Sequence, residues 1–413
     1  MNLPLFIARR YFLSKRKKNF INVIAMLSMT GVAFATAALV IVLSVFNGIG
    51  DLLRSLYAAF DPPIKVAHAK SKSFQFSDSL RKTIYDLEGV QVVTEVIEDY
   101  VYLRNRVEDA EADMVVTMKG VSDNFIEQHR MDDFISVVEF RLYKDEVPCA
   151  VVGSGVRNML SIRIENNLVP LQVYYVKDVG TGLMNPASMY AQQSLMPSGV
   201  FTIEKNFDEN YIFVPLAFAE RLLNYEGRRT SLEIMPKKGY DALRLQSTLK
   251  NLLGNDFQVL SNDEQHRDLY RLLKLEKVFT FLALALLIVV ASINIYFSLM
   301  MLVIDKRKDI GIFSAMGASG KLISRIFISE AAIIAGYGTL FGLAAGILFC
   351  FLQQTVGLVG MGMENAIVSN YPVKLVFSDL LLIAGFNGLI TILISWHPAR
   401  LGMRYATAIP GQA

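Results

Sequence analysis

Cysteine is nearly missing from this chain, whose 413 residues hold only Cys149 and Cys350. One lies in a stretch of ordinary polarity and the other in an apolar run, so no structural disulfide is expected and the redox compartment stays open. Histidine is as sparse. His68, His129, His266 and His397 are scattered without metal-ligand spacing, so no metal site is expected. No Ser or Cys stands in a nucleophile setting. Gly317-Ala318-Ser319-Gly320-Lys321 is not a phosphate loop: the motif's first glycine is missing, Leu322 stands where Ser or Thr is needed, and no strand precedes it. The chain is therefore expected to be no enzyme and to carry no cofactor. If ATP is used, the ATPase is another chain.

Charge is missing from long runs. Val23–Phe46, Val278–Ile304 and Leu380–Trp396 have none, and Ile326–Leu352 has one, Glu330. A helix needs roughly 20 apolar residues to cross a bilayer core of about 30 Å. The expected fold is an α-helical membrane protein with four transmembrane helices, at residues 23–48, 278–304, 326–352 and 380–397. Ala35-Thr36-Ala37 fits a signal-peptidase pattern, but the apolar run continues past it, too far for a signal h-region.

Acid is absent from segment 1–22, where Arg9, Arg10, Lys15, Arg16, Lys17 and Lys18 cluster. Loop 305–325 holds Lys306, Arg307, Lys308 and Lys321, and tail 398–413 holds Arg400 and Arg404. Four crossings put all three segments on one side, the cytoplasmic one by the positive-inside rule. Residues 49–277 and the short loop 353–379 are then exported. From Ile49 to Lys274 there are 26 basic and 32 acidic residues, so the basic excess lies beside the apolar runs and suits membrane orientation, not nucleic acid.

The exported segment, inserted between the first and second spans, reads as a mixed α+β domain. Ser77–Leu87, Leu216–Asn224 and Tyr240–Leu253 have helical spacing, with Ser77 or Asp78 as N-cap of the first. Strand patterns occupy Val90–Val96, Val101–Arg106, Met114–Val121, Cys149–Val152, Val169–Val176, Val200–Glu204, Tyr211–Val214, Leu232–Met235 and Phe257–Leu260. Gly180–Gly199 has no clear period and reads as a long loop, with Met184, Pro186, Tyr190, Leu195 and Met196 as candidate partner contacts. A helix from about Asn262 is expected to run unbroken into the second span.

In loop 305–325, Ile310, Phe313 and Met316 fall near one helical face behind a charged start, which suits a short amphipathic helix on a membrane or in a partner's groove. Gly338, Gly342 and Gly346 recur every four residues, the stripe that lets helices pack closely, within the bundle or across a dimer. Glu330 and Asn294 are polar groups inside spans and so functional candidates.

These residues resemble a known family. Phe20-Ile21-Asn22-Val23-Ile24 through Leu43-Ser44-Val45-Phe46-Asn47-Gly48 is similar to the opening of the LolC/LolE permeases, which usually ends SVMNG. Asp305–Ala318 resembles their K-x-x-D/E-I-x-I-x-x-x-x-G-A segment. Phe327-Ile328-Ser329-Glu330 resembles their F-x-x-E, with Ala331 where glycine is usual. Tyr371-Pro372-Val373 and Trp396-His397-Pro398-Ala399-Arg400 resemble markers around their last span. These permeases belong to the MacB/FtsX-like class.

The resemblance implies a permease of a lipoprotein-releasing ABC transporter in the bacterial inner membrane. The permease, with a second copy or paralogue, would pair with a cytoplasmic ABC ATPase dimer that binds ATP and Mg. Lys306, Arg307, Asp309, Ile310, Ile312, Phe313 and Met316 would form the coupling helix. Lipoprotein acyl chains would enter a cavity lined by Leu39, Leu43, Phe46 and Ile49 of the first span and Phe279, Leu282 and Leu286 of the second. Cargo would pass to a periplasmic lipoprotein carrier. Loop 182–198 aligns with the carrier-binding hook of LolC-like chains but lacks its basic residues. The other readings are a MacB-like efflux permease and an FtsX-like signalling subunit that controls cell-wall hydrolases.

Overall fold

The structure, a computed structural model, describes residues 3–12, 20–107, 110–164, 169–177, 190–361 and 370–407. Its helices are α1 (Leu3–Phe12), α2 (Phe20–Phe60), α3 (Asp78–Tyr85), α4 (Ser154–Met159), α5 (Lys205–Asn210), α6 (Leu216–Leu223), α7 (Ala242–Leu253), α8 (Asn262–Gln265), α9 (Arg267–Asp305), α10 (Arg307–Ala315), α11 (Gly320–Val356) and α12 (Phe377–Thr407). Four of them, within α2, α9, α11 and α12, are long and apolar enough to cross a membrane. The chain divides into two compact units, one of Leu53–Tyr270 and one of Met1–Leu52 with Arg271–Ala413.

The helical unit is built on close backbone approach. A Cβ on Gly338, Gly342 or Gly346 of α11 would lie 2.8 Å from the carbonyl oxygen of Met29, 2.4 Å from that of Ala33 or 2.8 Å from Cβ of Val40. All three contacts are on α2, so the glycine stripe is spent inside the bundle. Ala291, Ile295 and Leu299 of α9 pack with Val32 of α2 and Ala331 and Ile334 of α11. The ends of α11 follow local chemistry. Ser319 caps it by accepting from the Leu322 amide at 3.3 Å, and Gly357 in the left-handed conformation (φ 67°) stops it.

The second unit contains β1 (Ile64–His68), β2 (Phe74–Gln75), β3 (Val90–Val107), β4 (Ala110–Val121), β5 (Ile135–Val138), β6 (Tyr143–Lys144), β7 (Val147–Gly153), β8 (Leu171–Val176), β9 (Tyr190–Phe201), β10 (Tyr211–Pro215), β11 (Arg228–Arg229), β12 (Ser231–Pro236) and β13 (Phe257–Ser261). β13, β1, β12 and β3 pair in that order. With α3 and α7 they make a β-α-β-β-α-β arrangement. Its core is Ile64, Val66, Ile84, Leu232, Ile234 and Leu249. The other strands close on themselves: β3, β4, β10, β7 and β9 pair in succession, and β8 joins β9 back to β3. Leu103, Met118, Val152, Val173, Leu195 and Val214 belong to the core of that ring.

Three local expectations need correction. Val90–Val107 is one strand, because its register with β4 runs unbroken from Val96 to Val107. Tyr190–Phe201 is strand, not loop. Pro197 and Gly199 sit at a shift in the β7–β9 register, where a bulge tolerates residues that weaken a regular ladder. The helix entering the second span is interrupted at His266 (φ −113°, ψ 32°), between α8 and α9.

One buried ion cluster holds this unit. Lys119 Nζ is 2.8 Å from Glu233 Oε1, and Arg130 pairs with Glu233 Oε2. Both cations also donate to the carbonyl oxygen of Phe60, the last residue of α2, at 3.4 and 3.1 Å. The C-terminal end of a helix carries partial negative charge, so two cations suit it. Asp61 follows, 2.7 Å from His266 Nε2.

Candidate functional site

The segment after α9 turns at Lys306 and forms α10, whose N-terminal face is held against the bundle. Ile310 is 2% exposed and packs with Leu302, Val303, Ile323 and Phe327. Ser314 Oγ donates to the Ala406 carbonyl at 2.8 Å, and the Arg307 guanidinium lies 4.8 Å from the Tyr405 ring. Lys306 is 3.1 Å from Asp305, and Asp309 is half-buried. Ile310 is therefore an anchor of α10 and not part of its free surface. Steps of three residues drift by about 60° on a helix. The apolar row consequently turns from buried Ile310 through half-buried Phe313 to Met316, 79% exposed, with Ile312 also exposed.

The residues expected to line a cavity differ in exposure. Leu39 and Leu43 are buried with Ile288 and Ile383. Phe46 and Ile49 are half-buried. Phe279, Leu282 and Leu286 lie on another side of α9, and Phe279 is 69% exposed. A span is apolar all round, so spacing cannot tell a face that packs in the bundle from one that is free. The exposed side of α9 continues through Val290 and Phe297.

At the end of the bundle remote from α10, sequence reasoning missed a polar latch. Asn47 Nδ2 donates to Asp379 Oδ2 at 2.7 Å, and Lys277 Nζ reaches Asn47 Oδ1 and Asp379 Oδ2, both at 2.8 Å. This joins α2, α9 and α12. Beside it, a Cβ on Gly48 would stand 2.2 Å from the Pro372 carbonyl oxygen, and the Lys374 amide donates to the Ser44 carbonyl at 2.9 Å. The Asn47-Gly48 and Tyr371-Pro372-Val373 markers thus meet, a relation that separations of more than 300 residues hide in the sequence. Hydrogen bonds to charged groups contribute about 1.5–3 kcal/mol. Lys277→Met is expected to destabilise the purified protein by that amount in a detergent melt, and an unchanged melting curve would remove the latch from the account.

Other candidates fall as follows. Glu330 is buried, with Oε2 lacking a hydrogen-bond partner among the described residues, and Asn294 is exposed. In β9, Leu195 is buried, Met196 half-buried and Tyr190 exposed, whereas Met184 and Pro186 lie outside the described residues. Among the described residues no group of three or more His, Cys, Asp or Glu side chains could hold a metal ion.

Residues 281–406 match the FtsX-like permease C-terminal family. Over 415 residues, covering 97% of this chain and 96% of the relative, the sequence is 24% identical to the lipoprotein-releasing system transmembrane protein LolE of Haemophilus influenzae. The chain resembles the LolC/LolE permeases from end to end. The LolC/LolE likeness extends to the lipoprotein-releasing system transmembrane protein LolC of Neisseria meningitidis, 22% identical over 417 residues and over 97% and 96% of the two chains. With four apolar helices long enough to span and a mixed α/β unit, this LolC/LolE-like chain is a multi-pass membrane protein.

Proposed function

We propose that this chain is the permease of an ABC transporter that releases lipoproteins from the inner membrane, driven by a separate cytoplasmic ATPase dimer that binds ATP and Mg. The observation that carries this reading is the build of α10: an anchored inner face and a free outer face at a helix hairpin. Ile310, Ser314 and Arg307 fix the segment to the bundle, so a push on Ile312, Met316 and the exposed Lys308 is passed to α9, α11 and α12 without being lost in a loose loop. The basic segments flanking the spans support placing α10 in the cytoplasm and the α/β unit in the periplasm.

Moving an acyl chain out of lipid costs about 0.8 kcal/mol per CH₂, or roughly 12 kcal/mol for a 16-carbon chain. That is the work an external motor supplies. The exposed side of α9, with Phe279, Leu282 and Leu286, is the apolar surface offered to the acyl chains, together with a second permease copy or paralogue. Leu39 and Leu43 serve the bundle core instead. Cargo then passes to a periplasmic carrier, for which exposed Tyr190 is a contact.

Ile312→Asp with Met316→Asp is expected to abolish co-purification of the ATPase and to leave lipoproteins in the inner membrane, while the melting curve stays unchanged. Normal lipoprotein delivery by that variant, in cells without a second transporter, would overturn the reading.

A further inference from the structure

Two helices of the bundle give the same measure of where the bilayer core ends. Lys277 of α9 and Asp379 of α12 are paired at 2.8 Å, so they mark one level at the end remote from α10. Tyr296 lies 19 residues further along α9, and His397 lies 18 residues further along α12. At 1.5 Å per residue these are about 29 and 27 Å, close to the roughly 30 Å of a bilayer core. The two side chains meet there, with Tyr296 Oη 3.2 Å from His397 Nδ1. The pair therefore stands at the second boundary of the core, the level of the lipid headgroups.

His397 and Arg400 are three residues apart on α12 and share a face, with Trp396 one turn before Arg400. All three are exposed, and the Arg400 guanidinium lies 4.8 Å from the Trp396 ring. Among the described residues Arg400 is in no ion pair. The Tyr296–His397 bond leaves one donor unused whichever member donates: the ring Nε2–H if the phenol does, the phenol O–H if the ring does. Towards the bilayer middle, Leu393 and Leu389 continue the face of His397 at four-residue steps, and both are exposed.

We propose that Tyr296, His397 and Arg400 hold the phosphate of an anionic phospholipid in the leaflet on the α10 side, with its acyl chains along Leu393 and Leu389. A guanidinium and a second donor within one turn of it match the two free oxygens of a phosphodiester. With no carboxylate paired to Arg400 among the described residues, nothing beside it takes the ammonium of a zwitterionic headgroup. Aromatic rings alone suit any headgroup level. A hydrogen bond between two helices with a donor to spare, next to an unpaired guanidinium, suits a phosphate. The apolar steps beneath it suit a lipid and give a free phosphate nothing. Such a site needs only the four spans and not lipoprotein release, so either reading can fail without the other.

The test is native mass spectrometry of the full chain, delipidated in detergent and titrated with phosphatidylglycerol, phosphatidylcholine or inorganic phosphate. The expected result is one tightly held phosphatidylglycerol, with phosphatidylcholine bound more weakly and inorganic phosphate neither binding nor competing. Arg400→Gln and Tyr296→Phe are each expected to weaken phosphatidylglycerol about tenfold, the loss of one charge-assisted hydrogen bond, with lipid-free melting curves unchanged. Lys321→Gln removes the same charge from an exposed site in the first turn of α11 and is expected to change nothing. His397→Leu gives a second variant should Tyr296→Phe alter the lipid-free melting curve. Phosphatidylglycerol held equally by wild type and Arg400→Gln, phosphatidylcholine held as tightly, or displacement of the lipid by inorganic phosphate would overturn the proposal.

Discussion

Glu233→Gln is expected to destabilise the α/β unit by about 3–5 kcal/mol, the usual cost of removing one partner from a buried ion cluster. Glu233 and Lys119 are each 1% exposed, and the Arg130 side chain is 5% exposed. Without the carboxylate, two cations stay buried with no charge between them, sharing only neutral acceptors, the Gln amide oxygen and the Phe60 carbonyl. The measurement is thermal or denaturant unfolding of the purified chain, read by protease cleavage within 53–270. The charge-free replacement Lys119→Met, Arg130→Met, Glu233→Leu is expected to recover most of the loss, because desolvating the ions offsets much of their attraction.

The same cluster sets an acid limit. Burial pushes Glu233 up, but the charges of Lys119 and Arg130 outweigh it and hold the carboxyl below its ordinary value of 4.5. Burial likewise raises Asp61, and the hydrogen bond from His266 with the charges of Lys119 and Lys65 brings it below 3.8. A carboxylate with a depressed folded pKa contributes stability above its unfolded value and loses it as pH falls through the folded one. The wild-type melt should therefore hold from neutral pH to about pH 4 and drop below it. Glu233→Gln should flatten part of that drop. A variant that melts like wild type at every pH would show that the cluster does not hold the unit.

Gly342→Ala is the second large effect. The added Cβ would sit 2.4 Å from the Ala33 carbonyl oxygen and 2.6 Å from Cβ of Thr36, both on the facing α2. A backbone atom cannot swing aside as a long side chain can, so the helices must separate. Overpacking of this kind costs about 1–3 kcal/mol, and more for a larger residue. Gly336→Ala on the same helix is expected to be neutral in purified protein, or to stabilise by up to about 1 kcal/mol, since its Cβ meets open space. Melting the two variants side by side in detergent isolates the packing effect, because the chemical change is identical. Equal melting temperatures would mean that α11 and α2 are not in tight contact.

The four long apolar helices and the mixed α/β character of the middle of the chain were legible in the sequence. Both follow from near-neighbour rules: the length of an uncharged run, alternation in strands, and caps such as Ser77, whose side chain accepts from Leu80 at 3.3 Å. The errors arose where a distant partner decided the outcome. Pro197 and Gly199 read as loop residues until β7 is known to pair alongside and place a bulge there.

What the sequence by itself determined is which stretches are too apolar for water and which ends carry positive charge, since both depend only on local composition. Which side of each helix is free was decided by the tertiary structure. Leu39 and Phe279 are equally apolar, yet one is buried by its neighbours and the other is exposed. Gly342 and Gly336 are the same residue on one helix, yet one meets a backbone and the other open space. The physical reason is that hydrophobicity has no direction along an all-apolar helix. Only the atoms packed against it choose the face that remains for a partner.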